Sequence, residues 1–175
     1  MASLPVTTII DLGRLSLSHG EGARLDLNVR LDPFELGGQT YAPASDAIEA
    51  RLDVSRPTNA HAFRLRFPLR IEGPCMRCLG LAVVDTEIDA REVDQSNTED
   101  EELRSPYGAE DDLDLGRWAH DAAVLALPTR VLCRPDCAGL CPVCGESLND
   151  VDPADHQHET EPDPRWAKLD ELKLD

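Results

Sequence analysis

Four of the six cysteines in this chain lie within twelve positions of one another, in the sequence CRPDCAGLCPVCG at residues 133–145. Thiolate sulfur is a preferred ligand of zinc, which takes four tetrahedral ligands in structural sites. The unit Cys141-x-x-Cys144-Gly favours this chemistry, because a tight turn brings both sulfurs to one side of the loop. Cys133 and Cys137 are the simplest second pair. The sequence therefore predicts at least one Zn²⁺ ion, with Cys141 and Cys144 as its surest ligands.

Two further pairs of residues could complete a second site. Cys75 and Cys78 form another Cys-x-x-Cys unit, and His156 and His158 follow the cysteine cluster. Eight candidate ligands would fill two tetrahedral sites, whereas six cysteines alone fill one and leave two thiols over. The alternative for the histidines is an exposed pair in the tail. The alternative for Cys75 and Cys78 is a redox dithiol, but the sequence after them continues as a strand, which favours a metal ligand or a structural thiol pair.

Composition and length limit the class of protein. A chain of 175 residues that is 41% hydrophobic is long enough for one domain with a core. Its first residues lack a basic leader followed by an apolar stretch, and it has no apolar run near the ~18 residues that span a bilayer. We therefore expect a soluble cytoplasmic protein without a membrane partner. In a reducing compartment, clustered cysteines are more often metal ligands or redox groups than disulfides.

The net charge of −17 is concentrated in two segments. Residues 94–114 hold nine acidic residues and one arginine, and residues 146–175 hold ten acidic and three basic residues, so these segments carry −8 and −7. Acidic segments with few aromatic residues bury too little surface to fold alone. The pattern predicts an acidic flexible linker at 94–114 and an acidic tail. The alternative is a dedicated binding role for the acidic segments.

Apolar and polar residues alternate in four segments of the N-terminal half. Alternation places one set of side chains on a buried face and the other in water, as in a half-buried strand. The pattern predicts an antiparallel β body over residues 1–93, open or barrel-like, with one wet face. Pro68 argues against a central position for the third strand, because proline cannot donate to a neighbouring strand. The segments are RLDLNVRL (24–31), IEARLDV (48–54), FRLRF (63–67) and VDTEIDAR (84–91).

Helical periodicity begins after the acidic linker. Leu115, Trp118, Ala122 and Leu125 are spaced to share one helix face, and the pattern predicts a helix from about 115 to 127. The segment DPRWAKLDELK at 163–173 begins with a capping Asp and a Pro, and predicts a second helix. The fold class expected is α+β. In it, residues 115–175 form two helices flanking the cysteine-rich zinc segment, packed on the β body as one domain.

Four segments together resemble a known family. In chain order they are CMRCLG, DLGRWAHDAAVLALP, CRPDCAGLCPVCGESLN and DPRWAKLDEL. They are similar to the large ribosomal RNA subunit accumulation proteins, the YceD family, from about residue 73 to 172. Similar members often carry Cys-x-Cys where this chain has His156-x-His158, which implies that the histidines are zinc ligands. Some relatives lack the cysteine cluster, so the metal is not implied to be essential to the shared function.

The resemblance implies a role in ribosome assembly rather than a known reaction. The family is linked to making or accumulating large-subunit ribosomal RNA, and its gene often neighbours that of a small ribosomal protein of the large subunit. Enzyme motifs are missing from the sequence, including a phosphate-binding glycine-rich loop, Gly-x-Ser-x-Gly and His-Glu-x-x-His. A zinc ion with four cysteine ligands has no open position for water. We therefore expect no catalytic activity and no small-molecule substrate.

The direct partner is left open between RNA and protein. Arg64, Arg66 and Arg70 on the third strand could contact phosphates of the large-subunit ribosomal RNA precursor. Their alternative is pairing with acidic residues on neighbouring strands, such as Asp53 or Asp85. The acidic segments instead favour a basic large-subunit ribosomal protein, for which this chain would be a zinc-stabilised adaptor or chaperone without RNA contact.

Overall fold

The computed structural model describes residues 4–95, 98, 100, 103–109, 111–152 and 156–158. Within these residues the fold is mainly antiparallel sheet with two helices, as the alternating patterns predict. The elements are β1 (Ile9–Asp11), α1 (Leu12–Leu15), β2 (Gly22–Val29), β3 (Phe34–Leu36), β4 (Gln39–Pro43), β5 (Ile48–Ser55), β6 (His61–Pro74), β7 (Leu81–Asp94), β8 (Gly108–Ala109), β9 (Asp112–Asp114) and α2 (Leu115–Ala126).

Strand β6 is the centre of the main sheet. On one side it pairs with β7 along all of its 14 residues. On the other side, residues 62–66 pair with β5 and residues 71–72 pair with β4. β2 lies outside β5 and β3 lies outside β4, while β1, β9 and β8 form a separate three-stranded sheet. The sheet does not close among the described residues, so the barrel-like form is wrong; helix α2 covers the buried face instead.

The four predicted strands are confirmed as β2, β5, β6 and β7. The expectation that Pro68 keeps its strand away from the centre is wrong. Pro68 lies between the part of β6 that pairs with β5 and the part that pairs with β4. Its missing N–H therefore leaves neither of these strands without a donor.

The buried face of β6 forms the centre of the core. Phe63, Leu65 and Phe67 are at most 3% exposed, and Trp118 of α2 meets Phe63 edge to face with ring centroids 6.3 Å apart. Helix α2 begins where predicted, with the Asp114 carboxylate accepting from the backbone N–H of Arg117. Leu125 was expected on its buried face but is 85% exposed. The buried residues of α2 are Leu115, Trp118, Ala119 and Ala123.

Part of the predicted linker at 94–114 packs on the sheets. Asp94 and Ser105 are buried, and the Asp94 carboxylate accepts from the backbone N–H of Ser105 at 3.0 Å. Leu113 in β9 is fully buried. These three residues are therefore part of the packed structure, and the division into domains, with its flexible linker at 94–114, stays a prediction. The second predicted helix, at 163–173, lies outside the described residues.

A hairpin that the alternation did not predict joins β3 to β4. Gly37 and Gly38 at its turn have φ of 59° and 77°, a left-handed conformation that favours glycine. The hairpin delivers Tyr41 into the core, where its hydroxyl donates to the carbonyl of Pro74 at 2.9 Å. This contact places the hairpin beside the end of β6, where the first group of thiols begins. Within the described part of the chain, the helices are too short to cross a membrane.

Candidate metal centres

The structure divides the candidate ligands into two groups of four. Site 1 contains Cys75, Cys78, Cys133 and Cys137, and site 2 contains Cys141, Cys144, His156 and His158. In each group, one ligand atom from every residue lies within 4.8 Å of the other three. The four clustered cysteines therefore do not surround one common point. They are shared between the sites, two to each.

Site 1 joins the β6–β7 turn to the segment that follows α2. Cys75 directly follows β6, and the backbone N–H of Met76 donates to the carbonyl of Val131 at 2.9 Å. The Arg77 guanidinium donates to the carbonyl of Cys137 at 2.6 Å. These two bonds hold the chain segments side by side. As a result, thiols that are 55 and 62 residues apart in sequence come into contact.

The sulfur separations in site 1 match a tetrahedral metal ion. Cys75 Sγ lies 3.7 Å from Cys137 Sγ, and Cys78 Sγ lies 3.6 Å from Cys133 Sγ. Four sulfurs at the usual zinc–sulfur distance define a tetrahedron with an edge of ~3.8 Å. A disulfide would need about 2.05 Å. The group therefore has the donor type and the spacing of a four-thiolate metal site.

Site 2 has the spacing expected of two thiolates and two imidazoles. Cys144 Sγ lies 3.5 Å from His156 Nε2, which lies 3.0 Å from His158 Nε2. A tetrahedral zinc geometry gives ~3.6 Å for a sulfur–nitrogen edge and ~3.3 Å for a nitrogen–nitrogen edge. The other ring nitrogen of His156, Nδ1, lies 3.4 Å from the Glu146 carboxylate. A carboxylate behind a ligating histidine is the arrangement that orients such rings on metals.

The two Cys-x-x-Cys turns have the same backbone hydrogen bonds. In each, the first sulfur accepts from the N–H two residues later at 3.4 Å, and the first carbonyl accepts from the N–H four residues later, at 3.0 Å and 2.8 Å. The first N–H donates to the carbonyl five residues later, at 2.7 Å and 2.8 Å. The residue after each second cysteine is left-handed, with φ of 60° at Leu79 and 77° at Gly145. Both turns therefore present their sulfurs in the same way.

The backbone of these turns favours thiolate at the first cysteine. Burial raises the pKa of the Cys75 thiol, but hydrogen bonds from the backbone of Cys78 and Arg77 outweigh it and lower the pKa to about 6. At Cys141, hydrogen bonds from the backbone of Cys144 and from the His156 side chain lower the pKa to about 6. Metals bind the deprotonated sulfur. Both turns thus supply a ligand that is largely ionised near neutral pH.

Asn149 connects the two sites. Its side-chain N–H donates to Cys137 Sγ of site 1 at 3.6 Å, and its side-chain oxygen accepts from the backbone N–H of Ala138 at 2.8 Å. The same loop returns from site 2 through the backbone N–H of Leu148, which donates to the carbonyl of Gly139 at 2.9 Å. The ligand motifs of the sequence do not include Asn149. Its position four residues after the Gly145 turn was the available signal, although that alone does not identify its partner.

The structure pairs the three arginines proposed for RNA with carboxylates. The Arg64 guanidinium donates to both oxygens of Asp89, at 2.7 Å and 2.6 Å, and Arg66 donates to Asp53. Arg70 lies 3.4 Å from Glu72 and 3.3 Å from Asp85. This is the alternative that the sequence left open. All three arginines lie on the wet face of the sheet and none stands apart from an acidic neighbour.

Comparison with known proteins places the chain in a family. The family model described as large ribosomal RNA subunit accumulation protein YceD matches residues 63–173. The chain belongs to the YceD family. The matched region begins ten residues before the resemblance noted in the sequence, and contains most of β6, all of β7 and α2, and all eight candidate ligands of the two sites. The family of this chain is therefore confirmed.

Similar proteins are known from mycobacteria. Uncharacterized proteins of Mycobacterium tuberculosis and Mycobacterium bovis are each 34% identical over 160 residues, covering 87% of this chain and 63% of the relative. An uncharacterized protein of Mycobacterium leprae is 34% identical over 103 residues, covering 56% of this chain and 46% of the relative. The chain thus spans less than two thirds of these relatives. No solved structure matches it significantly.

Proposed function

We propose that this protein is a non-enzymatic ribosome-biogenesis factor that supports the accumulation of large-subunit ribosomal RNA. Membership of the YceD family is the observation that carries this proposal, because the family model is named for that role and covers 63–173. The proposal places the protein in the cytoplasm. It involves neither a membrane nor a small-molecule substrate.

We assign Zn²⁺ to both sites as a structural ion. Cysteine and histidine are the usual ligands of structural zinc, and each site supplies four of them. Four protein ligands leave no coordination position for a reacting water, which catalytic zinc requires. The sites would therefore fix the segment after α2 against the β6–β7 turn rather than perform a reaction.

A basic large-subunit ribosomal protein is the direct partner that the charges favour. Arg64, Arg66 and Arg70 are each engaged by a carboxylate, so phosphates would have to compete for them. The chain as a whole carries −17, which repels RNA at long range and attracts a cationic protein. Contact with pre-ribosomal RNA through the three arginines is the second candidate. Its support is their position together on the exposed face of β6.

The two partners are separated by changes of opposite charge. The acidic variant carries Glu99→Gln, Glu101→Gln and Glu102→Gln, and removes three negative charges at constant length. The basic variant carries Arg64→Gln, Arg66→Gln and Arg70→Gln. Immobilised wild-type and variant proteins are offered RNA-free large-subunit ribosomal proteins, or large-subunit RNA transcribed in vitro, at low and at physiological salt. Bound proteins are identified by mass spectrometry, and bound RNA is counted by label.

With a basic protein partner, the acidic variant retains less of that protein and the difference shrinks as salt rises, because salt screens attraction between charges across water, over about 8 Å at physiological ionic strength. The basic variant then binds the partner at least as well as wild type. The reverse pattern, in which the basic variant loses RNA and the acidic variant gains it, would establish the RNA candidate. The proposed function is wrong if the immobilised protein retains neither ribosomal proteins nor large-subunit RNA, and if deleting the gene leaves the ratio of large- to small-subunit RNA unchanged.

A further inference from the structure

Strand β7 is a long edge strand with one side unpaired. It bonds to β6 over 14 residues, and no other described strand pairs with it. Its register with β6 runs without interruption from His61↔Asp94 to Pro74↔Leu81, so it contains no bulge. The sequence LAVVDTEIDAREVD contains neither proline, lysine nor glycine. Bulges and prolines are two usual protections of an edge strand, and charged side chains are a third. β7 lacks the first two and carries charged side chains, so its backbone can still accept a strand of opposite charge.

The hydrogen-bond pattern shows which backbone groups face outward. In an antiparallel pair, alternate residues bond to the partner and the residues between them point away. The N–H of Cys75 donates to the carbonyl of Gly80, and the carbonyl of Arg70 accepts from Ala44 on the opposite side of β6. Both bonds show that odd-numbered residues of β6 bond to β7 and that even-numbered residues of β6 bond to the strands on its other side. Between residues 83 and 91, the N–H and carbonyl groups that face the open edge are therefore those of Val83, Asp85, Glu87, Asp89 and Arg91.

A groove runs along this open edge, between β7 and helix α2. Six consecutive residues of β7, 87–92, form one wall, and the other wall consists of Tyr107 and residues of α2. The groove has a volume of about 490 Å³. On the side of the core it offers apolar surface, including Ala122, Trp118 and the exposed Leu125. A strand edge facing a helix across a groove is a shape that accepts an extended peptide as an added strand.

The wet side of the same edge is acidic. Asp85, Glu87 and Asp89 lie at alternate positions of β7 and point to the wet face, followed by a single positive charge at Arg91. Asp89 is held by Arg64, whereas Asp85 is 69% exposed and pairs with Arg70 at 3.3 Å, so a basic side chain of the partner would share this carboxylate with Arg70. Glu87 has no ion pair among the described residues. A strand beside β7 would place its own alternate side chains directly opposite these carboxylates.

We propose that a basic, extended segment of a partner protein binds by adding to β7 as a further strand in this groove. The segment would alternate basic residues, which meet Asp85 and Glu87, with apolar residues, which contact Ala122 and Leu125. The outward groups from 83 to 91 span ~27 Å, room for about nine residues. The proposal deepens the proposed function and rests on its basic protein partner. It identifies where that partner binds and in what conformation.

The probe is a synthetic peptide, acetyl-KVKVKVKVK-amide, labelled for fluorescence anisotropy and titrated with the full chain. Two matched peptides carry N-methyl groups on the backbone, one at every lysine and the other at every valine. They have identical charge and side chains. In an antiparallel added strand the lysine N–H groups would bond to β7, and in a parallel one the valine N–H groups would. Whichever orientation the peptide adopts, only one of the two N-methylated peptides should therefore lose these hydrogen bonds.

Binding by strand addition has three expected results. One N-methylated peptide binds at least tenfold more weakly than the parent, whereas the other binds like it. Hydrogen exchange of the backbone N–H of Asp85, Glu87, Asp89 and Arg91 slows at least tenfold in the complex, because these groups become bonded. Glu87→Pro, which removes one outward N–H without removing a bond to β6, weakens binding about tenfold, and Glu87→Gln, which removes only the charge, weakens it no more than about fivefold.

Any one of the following three results would overturn the proposal. If both N-methylated peptides bind like the parent, attraction is electrostatic only and the edge is not the site, while a basic partner still stands. If the parent peptide does not bind at all, the edge proposal fails, and retention of ribosomal proteins still decides the proposed function separately. If the outward N–H groups are already slow to exchange in the free chain, the edge is occupied by this chain's own tail or by a second copy. Dilution, which releases only a second copy, separates these two occupants.

Discussion

Replacing one exposed cysteine in each candidate metal site tests whether the proposed ions act as cross-links. Cys133 of site 1 and Cys144 of site 2 are both exposed, so Cys133→Ser and Cys144→Ser open no cavity in the core. Each change removes one soft ligand from one site. Any loss of stability therefore comes from the metal cross-link rather than from packing.

The lengths of chain that the sites close set the expected difference. Cys78 and Cys133 are 55 residues apart, whereas Cys144 and His156 are 12 residues apart. The chain-entropy relation for a covalent cross-link gives about 4 kcal/mol for the longer loop and about 3 kcal/mol for the shorter one. We expect the free energy of unfolding to fall by up to these amounts. For a chain of this size, each 1 kcal/mol lowers Tm by about 2–4 °C.

The assay combines metal analysis with chemical unfolding. Protein purified without chelator is expected to hold two zinc ions, and each variant one. Urea unfolding of the metal-loaded wild type gives the reference, and a strong chelator should lower the stability of wild type more than that of either variant. The reasoning is refuted if Cys144→Ser destabilises more than Cys133→Ser, or if both variants unfold like wild type after losing an ion.

Two other predictions concern the sheet. A Cβ atom at Gly73 would lie 2.4 Å from Tyr41 Cδ1 and 3.0 Å from the carbonyl of Thr40, so Gly73→Ala should lower the free energy of unfolding by about 1–3 kcal/mol. The control Gly116→Ala, whose nearest contact is 3.6 Å, should not lower it, and equal thermal unfolding of both variants would contradict this close approach. The hydrogen bond from Arg64 holds the pKa of Asp89 below its usual 3.8, so this carboxylate stabilises the fold above about pH 4 and loses that contribution as pH falls through its lower folded pKa. Arg64→Gln should raise the pKa of Asp89 in an NMR titration, and an unchanged value would show that the pair does not form in solution.

The long elements of this fold follow from periodicity in the sequence. Alternation predicted β2, β5, β6 and β7 because each buries one face, and helical spacing predicted α2. The hairpin of β3 and β4 was missed, since strands of three and five residues carry too few alternations to stand out. The central position of the strand that holds Pro68 is hidden in the sequence for a related reason. A rule about one residue does not reveal that the neighbouring strands stop on either side of it.

The ligand types of the candidate sites were predictable, but their division was not. Proximity in sequence favoured one group of four cysteines at 133–144. The structure instead pairs Cys133 and Cys137 with the β6–β7 turn, because the segment after α2 returns along that turn. The repeated Cys-x-x-Cys turn was the signal for two sites, since each turn supplies only half of a tetrahedron. Whether the Cys133–Cys137 pair or the His156–His158 pair completes a given turn depends on tertiary packing, which the spacing of residues in the sequence does not show.

The separation of the site 1 ligands also sets an order of events during synthesis. Cys75 leaves the ribosome 62 residues before Cys137. At 5–20 residues per second, the β6–β7 turn waits about 3–12 s for the rest of its ligands. During that interval Cys75 and Cys78 can supply only two of the four ligands of site 1. Site 2 is made later, but its ligands span 141–158 and need only a short loop to meet, so it can close soon after His158 emerges. The β6–β7 turn, which is made first, therefore completes its candidate metal site only after the segment beyond α2 has been made.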